Sequence, residues 1–91
     1  MPIKVMIPTA LRMYAQGQDT VELQGGSVLE VMKMMGDRFP ELRKHLFNDK
    51  GQVRNFVNVF VNEDNIRDRD NLNTPLKEGD EVAIVPAVAG G

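Results

Sequence analysis

From Ile3 to Ile7 apolar and polar residues alternate, with Ile3, Val5 and Ile7 in phase. That period of two predicts a first strand, ended by Pro8, which has no N–H to give to a ladder. Thr9 to Tyr14 reads as a bridge, with Leu11 at the core edge, and Gln16-Gly17-Gln18 as a turn. Asp19 to Gln24 alternates again with Val21 and Leu23 inward, which predicts an N-terminal hairpin. Gly25-Gly26 breaks that strand, and Ser27 followed by Glu30 has the spacing of a capping box. Val28, Val31, Met32, Met35 and Phe39 then recur at helical spacing, with Lys33, Asp37 and Arg38 on the opposite side. Pro40 cannot continue that ladder but suits the first turn of a new, short helix carrying Leu42 and Leu46.

Asn48 to Gln52 reads as a loop, and Val53 to Asn62 as the next strand. Val57, Val59 and Val61 share one face of it; Phe56, Asn58, Phe60 and Asn62 share the other. Asn62 to Asn65 has turn chemistry, Ile66 sits in a short edge segment, and Leu72 and Leu76 point inward. Lys77-Glu78-Gly79-Asp80 predicts a tight turn into a last strand, Glu81 to Val85, with Val82 and Ile84 on the core side. Hairpin, helix, strand, short edge strand, strand is an α+β layer pair. It fits a β-grasp roll: a mixed sheet of about four to five strands, one main helix on one face and a short second helix, with the first and last strands parallel at the centre. The opposite sheet face then carries Met6, Phe60, Ala83 and Val85, with Phe56 nearer its end. Apolar residues on an open face mark a partner surface or are scattered surface residues.

Composition narrows the chemistry. Ninety-one residues predict one domain over 1–91 with a flexible tail over 86–91. The net charge of −2 argues against a nucleic-acid footprint. The absence of cysteine excludes a disulfide framework and a thiolate metal site. No apolar run is long enough to cross a membrane and the N-terminus lacks a signal-peptide pattern, so a cytoplasmic protein is expected.

Little of the inventory offers catalysis. His45 lacks a second His or a Cys with which to hold a metal or build a triad, and reads as a solvated helix-face residue. Glu63, Asp64, Asp68 and Asp70 lack the spacing of a calcium loop and are interleaved with Arg67 and Arg69. Gly25-Gly26-Ser27 precedes a helix, but without a Walker lysine it reads as turn and cap. The methionines Met32, Met34 and Met35 suit core packing better than a plastic binding groove. The end of the chain, Pro86-Ala87-Val88-Ala89-Gly90-Gly91, stays open between a frayed terminus and a bare arm that carries the Gly91 carboxylate into another protein's active site. Fully extended, those six residues span at most ~20 Å.

Ile7-Pro8-Thr9 with Leu11-Arg12, the strand Phe56 to Asn62, and the run Gly79-Asp80-Glu81-Val82-Ala83-Ile84-Val85-Pro86 through Gly90-Gly91 together resemble the MoaD/ThiS family of ubiquitin-like sulfur carriers. The resemblance extends over the whole chain. Its most specific part is the Gly-Asp turn, final strand and terminal diglycine in register. It implies a protein co-substrate and not an enzyme. An E1-like adenylyltransferase of the MoeB/ThiF type would use Mg·ATP to adenylate the carboxylate of Gly91, beside Gly90. Sulfide or a persulfide would then displace AMP and leave a thiocarboxylate. Met6, Phe60 and Val85 would be the docking face, and Pro86, Ala87, Val88 and Ala89 would be further partner-binding residues.

The Ala87 to Gly91 ending and the additional loop around Asn48 to Gln52 point to the branch serving cysteine biosynthesis. There the implied partners are a PLP-dependent cysteine synthase of the CysM type, which holds an activated serine, and a zinc-dependent JAB-type metalloprotease that releases the product. Small subunits of molybdopterin synthase, which serve its large subunit in molybdenum cofactor biosynthesis, more often end Pro-Pro-Val-(Ser/Ala)-Gly-Gly, and Pro86-Ala87 departs from that ending. A ubiquitin-like modifier forming isopeptide bonds is a further alternative. ATP with magnesium, PLP and zinc would all belong to partners, with no cofactor held by this chain.

Overall fold

Alternating valine and isoleucine build the sheet, and one amphipathic helix covers its apolar side. The structure, a computed structural model, describes residues 2–54 and 57–86. Strand β1 (Ile3–Met6) pairs antiparallel with β2 (Thr20–Leu23) and parallel with β5 (Glu81–Pro86). Strand β5 also pairs antiparallel with β3 (Val57–Val61), whose outer edge holds the two-residue β4 (Asp64–Asn65). The order β2-β1-β5-β3-β4, with a parallel pair at its centre, is the expected β-grasp arrangement.

Helix α1 (Val28–Arg38) lays Val28, Val31, Met32 and Met35 on the sheet. The Ser27 hydroxyl accepts from the Glu30 N–H at 3.3 Å, as the capping pattern predicted. Helix α2 (Pro40–Leu46) starts at the expected proline and buries Leu42 and Leu46. Gly36 is there for packing: a Cβ at this position would lie 3.2 Å from Arg43 Cγ, so the glycine lets α2 cross close to α1.

Several elements differ from expectation. Thr9 to Ala15 is a 3₁₀ helix and not an open bridge; it turns Leu11 and Ala15 into the core, and its first bond is Leu11 N–H to Pro8 C=O at 2.9 Å. His45 is half-buried against Tyr14, the two rings stacked with centroids 4.1 Å apart, and is not a freely solvated residue. The strand expected from Val53 has its described part at Val57–Val61. Val53 instead forms an isolated bridge with Phe47, and the Arg54 N–H donates to the Leu46 carbonyl at 2.9 Å. This stretch therefore closes the Asn48–Gln52 loop onto α2. Ile66 is buried at the start of a short 3₁₀ turn, just after β4 and not within it, while Leu72 and Leu76 are only partly buried. Strand β5 runs through Pro86, opposite Val57, so the strand includes the first residue assigned to the tail. Phe56 and Ala87 to Gly91 lie outside the described residues.

A polar clasp fixes where β5 begins. Asn62, at a left-handed φ of 49°, ends β3 and donates its amide to Asp80 Oδ1 at 2.9 Å. Its side-chain oxygen accepts from the Glu81 N–H at 3.0 Å, and the Lys77 N–H donates to Asp80 Oδ2 at 2.8 Å. The Lys4 N–H reaches the Asp80 carbonyl at 3.0 Å, which ties the clasp to β1. Gly79, at φ 88°, makes the turn that allows it. The bonds from Lys77 and then Asn62 hold the Asp80 carboxyl below its ordinary value of 3.8. A carboxyl lowered in the folded state stabilises fully above that ordinary value, and the contribution is lost as pH falls through the lowered one. Asn62→Ala is expected to cost about 1 kcal/mol at neutral pH. Asp80→Asn is expected to flatten the acid limb below the ordinary value, as read by urea unfolding across acid pH.

Candidate functional site

Lys4 and Met6 on β1, Asn58 and Phe60 on β3, and Glu81, Ala83 and Val85 on β5 face away from α1. The registers Met6↔Ala83 and Phe60↔Ala83 place Ala83 between the Met6 and Phe60 side chains on this open face. Thr20, opposite Met6, and Asn65, opposite Phe60, complete a row across all five strands. Val85 lies two residues further along β5, opposite Asn58. Met6 is 36% exposed and Val85 43%, while Phe60 and Ala83 are half-buried. A shallow depression joins these four to Asn62, Glu63 and Glu81.

The sequence placed Met6, Phe60 and Val85 on one face with Ala83, and the structure brings the four together. Pro86 follows Val85 as the last residue of β5. Gly91, Gly90, Ala87, Val88 and Ala89, also proposed as site residues, lie outside the described residues. The polar border was not recognised from the sequence. Its signal was present, since Asn62 is in phase with Phe60, and Glu81 with Ala83 and Val85. What was missing was the fold that brings Glu63, in the turn after β3, to the same depression as Glu81.

The Asp80 carboxyl, held below its ordinary value by the bonds from Lys77 and Asn62, belongs to the clasp. Among the described residues no cluster of His, Cys, Asp or Glu has the arrangement of a metal site. No described helix is long and apolar enough to cross a membrane. The candidate site is a surface: an apolar patch beside the Pro86 end of the central strand.

A five-strand mixed sheet with a helix packed on one face and the other face bare defines a ubiquitin-like β-grasp domain. Within that class the chain belongs to the ThiS family, which matches residues 5–91. It is 34% identical over 93 residues to sulfur carrier protein CysO of Mycobacterium tuberculosis, covering 100% of both chains. Among solved structures it is similar to a chain of the BexX/CysO complex of Amycolatopsis orientalis, with 36% identity, a TM-score of 0.86, and 98% and 99% of the two chains covered. It is also similar to small archaeal modifier protein 1 of Methanosarcina acetivorans, with 33% identity, a TM-score of 0.86, and coverage of 98% and 95%.

The two faces of β5 give a direct test of the geometry. Ile84 is 2% exposed and its neighbour Val85 is 43% exposed. Ile84→Ala is expected to lower stability by about 2–5 kcal/mol, and Val85→Ala by no more than about 0.5 kcal/mol, as read by chemical denaturation.

Proposed function

We propose that this chain is a sulfur carrier whose reactive atom is the carboxyl carbon of Gly91. The observation that carries this reading is the full-length similarity to CysO, on a fold whose central strand is described to Pro86 beside an apolar patch. At neutral pH a free α-carboxyl is an anion that resists nucleophiles. Its oxygen attacks the α-phosphorus of ATP on an E1-like adenylyltransferase, pyrophosphate leaves, and the carbon becomes an acyl-adenylate. Sulfide then adds to that carbon, AMP departs, and a thiocarboxylate remains. The carrier's own part is to bind and to reach. Met6, Phe60 and Val85 hold the partner, and the five residues after Pro86 extend at most about 17 Å into its active site.

The CysO similarity supports cysteine as the destination of the sulfur. On that route the thiocarboxylate adds to a serine activated on the PLP of a cysteine synthase of the CysM type. A JAB-type metalloprotease, which supplies the zinc, then releases the amino acid. A molybdopterin synthase large subunit is the alternative acceptor. A second reading, attachment to protein lysines, is favoured by the similarity to small archaeal modifier protein 1.

Intact mass after incubation with the adenylating enzyme, ATP and sulfide is expected to show replacement of one oxygen by sulfur. Deletion of Gly90-Gly91, or one residue added after Gly91, is expected to abolish that change with melting unaltered. An unchanged mass with an enzyme that is active on another carrier would contradict the proposal. Lysine-linked conjugates that disappear with Gly90-Gly91 would select the modifier reading.

A further inference from the structure

The chain carries six methionines, and the fold treats those among the described residues very differently. Met32 and Met35 are 0% exposed, sealed in the core that α1 builds on the sheet. Met34 is partly buried against the same core. Met6 is 36% exposed on the open face, and Met13 is 75% exposed. Met13 belongs to the 3₁₀ helix Thr9–Ala15, which turns Leu11 and Ala15 inward. It borders a depression with Arg38, Phe39, Pro40 and Glu41. The most exposed thioether therefore lies beside the helical layer and off the patch formed by Met6, Phe60, Ala83 and Val85.

Exposure decides the chemistry of a thioether. A hydroperoxide reaches the sulfur lone pair where solvent does, whereas a buried sulfur waits for the structure to open. The lone pair takes one oxygen of the hydroperoxide as the O–O bond breaks. That oxygen's proton passes to the departing oxygen, which leaves as water or an alcohol. Sulfur loses two electrons and the peroxide gains them. We infer that Met13 is the chain's reversible oxidation site: hydroperoxides convert its thioether to the sulfoxide ahead of the other described methionines, and the product keeps the fold and the open face intact.

The surroundings suit that product. A sulfoxide is polar, and at Met32 or Met35 it would bury an oxygen without a partner. At Met13 the new oxygen stays in water, and Gln16 and Arg38 bring N–H donors to the same depression. The exposure that admits peroxide also admits a methionine sulfoxide reductase, whose thiols return the two electrons and release the oxygen as water. The inference stands on where the fold places the methionines and does not depend on the carrier reading.

The test treats the full chain with excess hydrogen peroxide at neutral pH. Samples are quenched with catalase at intervals, digested with trypsin and read by mass spectrometry. Cleavage after Arg12 separates Met6 from Met13, and fragment ions separate Met13 from Met32 and Met34 from Met35. Met13 is expected to oxidise at least about two-fold faster than Met6, in line with their exposures of 75% and 36%. Met32 and Met35 are expected to be slower than Met13 by roughly a hundred-fold or more. The protein carrying one added oxygen is expected to melt like the untreated protein. Reductases for the two sulfoxide epimers, supplied with a thiol reductant, are expected to restore the original mass. Met13→Leu, a swap of similar volume, is expected to remove the fastest phase and leave the rate at Met6 unchanged. Three results would each overturn the inference: Met6 or Met34 oxidising as fast as Met13, a Met13 sulfoxide that lowers the melting temperature, or one that the reductases leave unreduced.

Discussion

The parallel pairing of β1 with β5 is the constraint on which the rest depends. It places the last strand at the centre of the sheet, where β1 and β3 hold both its edges. A strand held on both edges does not slip without reversing every side chain between core and solvent. Val82 and Ile84 therefore stay under α1, and Ala83 and Val85 stay on the open face. The clasp of Asn62 and Asp80 sets the start of β5 relative to β3, and the Lys4–Asp80 bond sets it relative to β1. Patch and polar border then follow from one register.

Much of this was legible in the sequence because period and punctuation agree. Ser27, Pro40 and Gly79 each mark an element boundary through a local cause: a hydroxyl cap, a missing donor and a left-handed turn. Alternation along Val57 to Val61 and Val82 to Val85 told the two sheet faces apart. The features that escaped depend on distant residues meeting. The Tyr14–His45 stack joins a 3₁₀ helix to α2, and the Val53–Phe47 bridge folds a stretch with strand-like composition back onto a helix end. The clasp links residues eighteen apart. No window of sequence contains such a pair, so propensity and pattern cannot reveal it. The apolar part of the candidate site was found because it alternates within single strands. Its polar border was not, because Asn62, Glu63 and Glu81 come together from the end of β3, the turn after it and the start of β5.

Under the carrier proposal the demand on the fold is mechanical. It must present a recognisable face and hold the start of the terminal segment at a fixed place beside it. The most direct measurement is a backbone amide NMR titration with the adenylating enzyme and ATP. Changes concentrated at Met6, Phe60, Ala83, Val85 and Gly90-Gly91 are predicted. Changes confined to Val28 to Leu46, with the open sheet face undisturbed, would contradict the docking of this carrier through its bare sheet.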